Sequence, residues 1–172
     1  MICLAGFMGS GKTTVGRLLA RQVGWHFVDL DTRIENRAGL RISAVFERLG
    51  EPAFRDLEYA ELERSLGEAR EQDKALVLAL GGGTFAQPRN LELLSAAGGV
   101  VIWLDCPMET LLARCARMSH RPLFRDEKSF RELYELRRPF YERADYRVAS
   151  DSEPRQVVSE ILALGILERV NA

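Results

Sequence analysis

Few folds accommodate the glycine-rich segment that this chain carries near its N-terminus. Residues 6–13 read Gly-Phe-Met-Gly-Ser-Gly-Lys-Thr and follow the pattern G-x-x-x-x-G-K-[ST]. The apolar run Ile2–Ala5 precedes them, and a helical face of apolar side chains follows, made of Val15, Leu18, Leu19 and Val23. A buried strand that turns through glycines into a helix is typical of a parallel sheet covered by helices. The segment therefore predicts an α/β fold.

The rest of the chain repeats this alternation of apolar runs and amphipathic stretches. After the first strand, the candidate strands are His26–Leu30, Ala75–Leu80, Val100–Leu104 and Tyr146–Ala149. Apolar residues at helical spacing predict helices around residues 108–115, 130–141 and 157–162, with Pro107 in the first turn of the first of these. No repeat or linker divides the chain, so we expect one domain over residues 1–172.

Composition excludes several classes of protein. The net charge of −1 creates no field that would attract nucleic acid, and the apolar runs are too short to cross a bilayer. The first residues lack the basic start and cleavage site of a secretory signal, so we expect a cytoplasmic protein. The three cysteines show no paired spacing, which favours buried thiols over disulfides or a zinc site. With 21 Arg against 3 Lys, a single Arg carries little information.

The glycine-rich segment has the chemistry of a phosphate-binding loop. Its glycines allow consecutive backbone N–H groups to face phosphate oxygens, and the N-terminus of the following helix adds partial positive charge. Lys12 is expected to reach the β- and γ-phosphates of ATP, and the Thr13 hydroxyl to bind Mg²⁺. The predicted ATP-binding residues of this loop are Gly9, Ser10, Gly11, Lys12, Thr13 and Thr14. GTPases, helicases and small-molecule kinases share this loop, so it leaves the phosphate acceptor open.

Two carboxylates at the end of the second predicted strand are candidates for metal binding and proton transfer. Alternation along a strand would point Asp29 and Asp31 to the same side, at the carboxyl edge where parallel sheets bind ligands. Asp29 is expected to hold Mg²⁺ through water, and Asp31 to orient or deprotonate an attacking hydroxyl. The alternative is that Asp31 only caps the next helix.

Arginines and glycines further along the chain suit an anionic acceptor. Arg55 and Glu58 are three residues apart on a predicted helix, so Glu58 can hold the Arg55 guanidinium in one pose for a carboxylate, or the two form an ordinary surface pair. Gly81–Gly83 follow a strand directly, which favours close approach of a ligand to the backbone over a plain turn. Arg137 falls on an apolar helical face, where it needs an anionic partner from the protein or a substrate.

Two stretches fit the alternating pattern poorly. Residues 32–66 are long and helical, and we expect an insertion beside the sheet. Residues 117–128 are polar, rich in arginine and interrupted by Pro122, which favours a loop. Four arginines lie in and beside this loop: Arg114, Arg117, Arg121 and Arg125. A segment of this composition is suited to closing over ATP and stabilising the transferring phosphoryl group. Arg121, next to Pro122, is the preferred catalytic candidate.

Taken together, these motifs resemble the shikimate kinase family. The matching stretches follow the family's order over most of the chain: Gly6–Gly16, Asp29–Asp31, Phe54–Glu58, Gly81–Gly83, Arg121–Leu123 and Arg137–Tyr141. The resemblance implies a nucleoside-monophosphate-kinase-like fold with a five-stranded parallel sheet, a substrate-binding insertion at 32–66 and a lid at 115–127. It also implies ATP-dependent phosphorylation of the 3-hydroxyl of shikimate, a step toward the aromatic amino acids.

The resemblance also implies roles for individual residues. Asp31 would contact the ring hydroxyls and assist the attacking one, while Arg55 and Arg137 would bind the carboxylate with help from the backbone of Gly82 and Gly83. Arg121 would act on the phosphates and Arg114 would lie near the adenine, with Phe46 and Phe54 lining the acceptor pocket. We expect a monomer that acts on ATP and shikimate with Mg²⁺ and has no nucleic-acid or membrane partner.

The chain departs from the family pattern in places, and its sequence leaves rival functions open. Residues 115–120 lack the polar, Gly- or Asp-containing sequence that is more usual in the family's lid. Arg138 adjoins Arg137, and only the R-x-P-x-Y spacing selects Arg137. The rival functions are another small-molecule kinase on the same scaffold, for gluconate or a nucleotide, and a nucleotide sensor that binds ATP without phosphorylating a metabolite.

Overall fold

The computed structural model describes residues 1–116 and 126–170, and within them the five predicted strands form one parallel sheet. The strands are β1 Ile2–Ala5, β2 His26–Asp29, β3 Leu76–Ala79, β4 Val100–Asp105 and β5 Tyr146–Ala149. Their order across the sheet is β2-β3-β1-β4-β5, and every pairing is parallel. The prediction of an α/β fold with a five-stranded parallel sheet is confirmed, and the predicted strand bounds differ by at most one residue.

Helices cover both faces of the sheet. They are α1 Lys12–Val23, α2 Leu30–Ala38, α3 Ile42–Glu71, α4 Pro88–Ala96, α5 Met108–Ala116, α6 Glu127–Tyr141, α7 Pro154–Ala163 and α8 Ile166–Val170. A short 3₁₀ turn, Thr84–Ala86, follows β3. The sequence predicted Pro107 in the first turn of α5, whereas Pro107 lies immediately before that helix.

The side-chain alternation of β1 separates two hydrophobic cores. Ile2 and Leu4 pack with α1, α7 and α8, whereas Cys3 and Ala5 pack with α2, α3 and α6 on the opposite face. Parallel strands covered on both faces are apolar throughout, which explains why β1 and β3 are fully buried. All three cysteines are buried and none forms a disulfide, as expected.

The helix α3 is bent at Gly50. This residue has φ 81° and ψ 170°, a conformation that interrupts the helix and that glycine adopts without strain. The sequence predicted a helix start here with Pro52 in its first turn, and the second half of α3 does begin anew after Gly50. Leu62 and Leu66 of that half belong to the same core cluster as Ile34, Val45 and Phe54.

The division into a substrate-binding insertion and a lid stays a prediction. Most of the 115–127 stretch, including Arg117, Arg121 and Arg125, lies outside the described residues. Within the described ranges, none of the helices combines the length and apolarity needed to cross a membrane.

Candidate active site

The carboxyl edge of the sheet brings the predicted site residues together. The glycine-rich loop follows β1, Asp29 ends β2, Gly81–Gly83 follow β3, and Ser150 follows β5. Because all five strands are parallel, these segments open on the same edge, which is where open α/β sheets bind ligands.

The loop after β1 adopts the conformation that a phosphate cradle requires. Gly9 and Gly11 have φ of 83° and 95°, in the left-handed region that favours glycine. At Gly9 a side chain is also excluded by packing, since a Cβ atom would lie 2.9 Å from the Cys115 Sγ. Gly11 immediately precedes α1, so the N-terminus of that helix faces the cradle.

Lys12 and Thr13 begin α1, and their side chains contact different groups. The Lys12 Nζ donates to the carbonyl oxygens of Gly6 at 2.8 Å and Phe7 at 2.9 Å, which places the ammonium group over the loop. The Thr13 Oγ1 donates to the Asp29 Oδ2 at 2.6 Å. A hydroxyl and a carboxylate oxygen in contact are hard oxygen donors of the kind that Mg²⁺ prefers.

The donor set suits Mg²⁺ that keeps most of its water. Among the described residues, no group of three or more His, Cys, Asp or Glu could hold a metal. Mg²⁺ in phosphotransfer sites usually takes one or two protein oxygens together with substrate phosphates and water, so Thr13 and Asp29 suffice. The residues present fit the ion.

The local structure around Asp29 and Asp31 differs from the sequence interpretation. β2 ends at Asp29, whose Oδ1 accepts from the Thr32 backbone N–H at 3.0 Å and caps α2. Asp31 therefore lies in the first turn of α2, and the prediction that it extends a strand is wrong. The alternative that Asp31 caps the helix is also wrong, because Asp29 does so. Asp31 Oδ1 instead approaches Gly81, where a Cβ would lie only 2.7 Å away.

Two cavities meet at these residues. One, of about 270 Å³, is lined by the glycine-rich loop together with Arg114, Ser150, Ser152 and Pro154. The other, of about 810 Å³, is lined by the second half of the predicted site, including Phe46, Phe54, Arg55, Glu58, Gly81, Gly82, Gly83 and Arg137. Thr13, Asp29 and Asp31 line both cavities, so a phosphate donor and an acceptor would meet there.

Two guanidinium groups meet at Gly83, and we call this pair, Arg55 and Arg137, the acceptor clamp. A Cβ on Gly83 would lie 2.8 and 2.9 Å from the Arg55 Nη atoms and 2.9 Å from the Arg137 Nη2. Gly83 therefore gives room to protein side chains, whereas the sequence had suggested room for a ligand. The clamp faces the larger cavity.

The electrostatics of the clamp favour an anion. Burial would lower the pKa of Arg55, but the Glu58 carboxylate at 2.9 Å and the exposed Glu51 at 3.0 Å raise it above its ordinary value. Arg137 is only 8% exposed; burial lowers its pKa, and the charge of Arg55 acts in the same direction. A cation whose charged form is disfavoured by burial and by a like charge is stabilised by a bound anion.

The backbone beside the clamp is also held by α6. The Tyr141 hydroxyl donates to the Gly82 carbonyl oxygen, and the Arg137 guanidinium lies 5.7 Å from the centre of the Phe7 ring. Arg138, the neighbour that sequence spacing set aside, points elsewhere and pairs with Glu142 at 3.0 Å. The structure thus separates the two adjacent arginines.

Arg114 connects the small cavity to the phosphate loop. Its Nη1 donates to the carbonyl oxygens of Gly9 at 3.2 Å and Ser150 at 3.0 Å. The predicted catalytic Arg121 lies outside the described residues. Sequence reasoning missed Ser150, Ser152 and Pro154 because they belong to no motif, and it missed the role of Tyr141 although that residue shares a helical face with Arg137.

Comparison with known proteins agrees with this geometry. The family model described as shikimate kinase matches residues 8–164. The shikimate kinase of Persephonella marina is 45% identical over 163 residues, which cover 94% of this chain and 96% of that protein. The shikimate kinase of Aquifex aeolicus is 39% identical over 162 residues, covering 94% of this chain and 93% of that protein.

Solved structures give the same family. The shikimate kinase from Acinetobacter baumannii in complex with shikimate has a TM-score of 0.88 and 38% identity, covering 97% of this chain and 93% of that chain. A gluconokinase from Sinorhizobium meliloti, at 17% identity and a TM-score of 0.60 over 99% of this chain and 94% of that chain, shares the fold alone. On the family model and on relatives of this identity and length, the chain belongs to the shikimate kinase family.

Proposed function

We propose that this chain transfers the γ-phosphoryl group of ATP to the 3-hydroxyl of shikimate, giving shikimate 3-phosphate and ADP on the route to the aromatic amino acids. One observation carries the proposal. The cavity that contains two buried or half-buried guanidiniums also contains Thr13, Asp29 and Asp31, which belong equally to the nucleotide side. A carboxylate-bearing alcohol held by the clamp would place a hydroxyl next to the phosphate loop.

On the nucleotide side, the loop N–H groups and the N-terminus of α1 would bind the phosphates. Lys12 already lies over the loop carbonyls, within reach of the β- and γ-phosphates of a bound nucleotide. Gly9, Ser10, Gly11, Lys12, Thr13 and Thr14 line this cavity. Thr13, with Asp29 through water, would hold Mg²⁺, which supplies charge neutralisation of the phosphates when bound. Arg114, anchored to Gly9 and Ser150, is suited to the adenine end.

On the acceptor side, Asp31 would orient the substrate and handle the proton. Its carboxylate lines both cavities, so it would accept the proton of the attacking hydroxyl while that oxygen bonds to the γ-phosphorus and the bond to the ADP oxygen breaks. Arg55 and Arg137 would bind the shikimate carboxylate by charge-assisted hydrogen bonds, with Gly82 and Gly83 completing the wall. Arg121, in the predicted lid, would stabilise charge on the transferring group.

We further propose that the enzyme acts as a cytoplasmic monomer without nucleic-acid or membrane partners. The net charge of −1 creates no field that would attract nucleic acid. Size-exclusion chromatography with light scattering tests the monomeric state, and a dimer mass at micromolar concentration would contradict it.

An ADP-release assay with ATP and each of shikimate, gluconate and a set of nucleoside monophosphates tests the acceptor. We expect turnover with shikimate, and substantial turnover with another acceptor but none with shikimate would overturn the proposal. An isothermal titration that shows no heat with shikimate would favour a nucleotide sensor.

Two adjacent arginines provide a matched pair of variants. Arg137→Ala should raise the KM for shikimate and leave the KM for ATP unchanged, because Arg137 faces the acceptor cavity. Arg138→Ala, which removes an arginine paired with Glu142 outside that cavity, should change neither. Equal effects of the two substitutions would mean that Arg137 is structural.

A further inference from the structure

Glu58 is a buried carboxylate whose two oxygens take different donors. It is 1% exposed, near the middle of α3. Its Oε2 accepts from the Arg55 Nη1 at 2.9 Å, and its Oε1 accepts from the Thr84 hydroxyl at 2.7 Å. A buried carboxylate is costly unless all its hydrogen bonds are made. The pose of Glu58, and through it that of Arg55, therefore depends on Thr84 as well as on Arg55 itself.

Thr84 is held rigidly where it meets Glu58. It opens the 3₁₀ turn directly after Gly83, and its backbone N–H donates to the Gly81 carbonyl oxygen at 3.2 Å. Its own carbonyl oxygen accepts from the Asn90 side-chain amide at 3.0 Å. Thr84 and Asn90 are both 0% exposed, and the χ1 angle of a β-branched residue is restricted. The position of the Thr84 hydroxyl is thus fixed by packing.

The space beside Gly81 is bordered by the Thr84 hydroxyl and by two carboxylates. A Cβ on Gly81 would lie 2.8 Å from the Thr84 Oγ1, 2.7 Å from the Asp31 Oδ1 and 3.2 Å from the Glu58 Oε1. A threonine hydroxyl has one hydrogen to donate, and the 2.7 Å contact assigns it to Glu58. Glu58 is thereby tied to the wall of the acceptor cavity, and Asp31 keeps its place at the junction of the two cavities.

We propose that Thr84 is a positioning residue for the acceptor clamp: its hydroxyl fixes Glu58, which holds the Arg55 guanidinium against Gly83 in the pose that binds the substrate carboxylate. The inference rests on the proposed function, because it takes shikimate as the acceptor. Thr84 touches no substrate in this role. It acts through Glu58, and its effect belongs to acceptor binding and not to phosphoryl transfer.

Thr84→Val tests this with almost no change in side-chain volume. Without the hydroxyl, the Glu58 Oε1 loses its donor, so the Arg55–Glu58 pair relaxes toward the cavity. The expected result is a rise of about tenfold in the KM for shikimate, equivalent to about 1.4 kcal/mol. The kcat and the KM for ATP should stay within about twofold of wild type. Thr84→Ser, which keeps the hydroxyl, should restore a KM close to that of wild type.

A double-mutant cycle separates positioning from a purely structural role. In an Arg55→Ala background the clamp has lost the group that Thr84 positions, so adding Thr84→Val should leave the KM for shikimate unchanged. Ser65→Ala is the matched control, since it removes a buried hydroxyl from a different element, α3, where within the described part of the chain it donates to the Glu61 carbonyl oxygen at 2.6 Å. It should leave the KM unchanged.

Each outcome decides a separate point. A KM for Thr84→Val equal to that of wild type, or a fall in kcat and melting temperature with unchanged KM, would overturn the role of Thr84. If Thr84→Val does not fold, Thr84→Ala against Thr84→Ser makes the same comparison, and equal KM values for these two would overturn it. A wild-type enzyme that does not phosphorylate shikimate would instead refute the proposed function.

Discussion

Adding a single methyl group at Gly83 should weaken acceptor binding without unfolding the protein. Gly83 has φ −109° and ψ −6°, a backbone conformation open to alanine, so Gly83→Ala creates no backbone strain. The new Cβ would lie 2.8 and 2.9 Å from the Arg55 Nη atoms and 2.9 Å from the Arg137 Nη2. Non-bonded heavy atoms prefer separations of about 3.5 Å, so both guanidiniums must retreat by about 0.6 Å.

That displacement is large compared with the tolerance of a binding site. Binding constellations need their groups within about 0.5 Å of the productive geometry. A hydrogen bond to a charged group contributes about 1.5–3 kcal/mol, and the shift should cost the equivalent of one such bond, about 2 kcal/mol. The KM for shikimate should therefore rise about 30-fold. The free energy of unfolding should change by less than about 1 kcal/mol, because the clashing atoms are the far ends of flexible side chains.

Steady-state assays with varied shikimate and varied ATP measure the effect, and thermal melting reports stability. The matched control is Gly67→Ala on α3, where a Cβ would meet nothing within 4 Å. It should leave both KM values unchanged and raise stability slightly, as a helical Gly→Ala replacement does. A KM for Gly83→Ala within twofold of wild type would refute the reasoning, since it would mean that the clamp does not hold the acceptor.

Three further predictions concern other parts of the chain. Lys12→Met removes the ammonium from the phosphate loop and should lower kcat at least about 100-fold, measured by ADP release with shikimate and ATP saturating. Asp31→Asn should lower kcat by about 10²–10⁴-fold while the Kd for ATP, measured by calorimetry, is unchanged; near-normal turnover would remove Asp31 from catalysis. Burial raises the pKa of the Cys3 thiol from 9.0 to about 12, so the unfolded chain deprotonates first and stability should fall as the pH rises from 9.0 toward 12. Cys3→Ala should flatten this decline in melting temperature, and an unchanged slope would contradict it.

The sheet and the phosphate loop could be predicted from sequence because both are written in short-range patterns. The run Ile2–Ala5 is apolar at every position, as a strand buried on both faces must be, and it appears in the structure with the same bounds. The residues after it carry glycines at the three positions, Gly6, Gly9 and Gly11, where the backbone has positive φ. Local sequence determines local conformation in both cases.

The geometry of the acceptor cavity could not be predicted from sequence in the same detail, because it depends on tertiary contacts. The cap of α2 falls on Asp29 rather than Asp31, and a spacing of two residues fits a strand and a capped helix start equally well. Glu58, Thr84 and Asn90 come together over 26 and 32 residues of chain, and no pattern in the sequence pairs them. Arg137 and Arg138 are adjacent residues of the same type that differ in the direction in which α6 points their side chains. That direction is known only once the helix is packed against the rest of the protein.

The strand order also bears on how the protein is made at the ribosome. β1 lies at the centre of the sheet, yet its partners begin with Val77 and Val100. An emerging chain shorter than about 75 residues thus has no neighbour for its first strand, and β1 gains its second neighbour only when β4 has been translated. The glycine-rich loop is thus among the first segments synthesised, but the apolar strand that leads into it cannot be flanked on both sides until the chain as far as Asp105 has been translated.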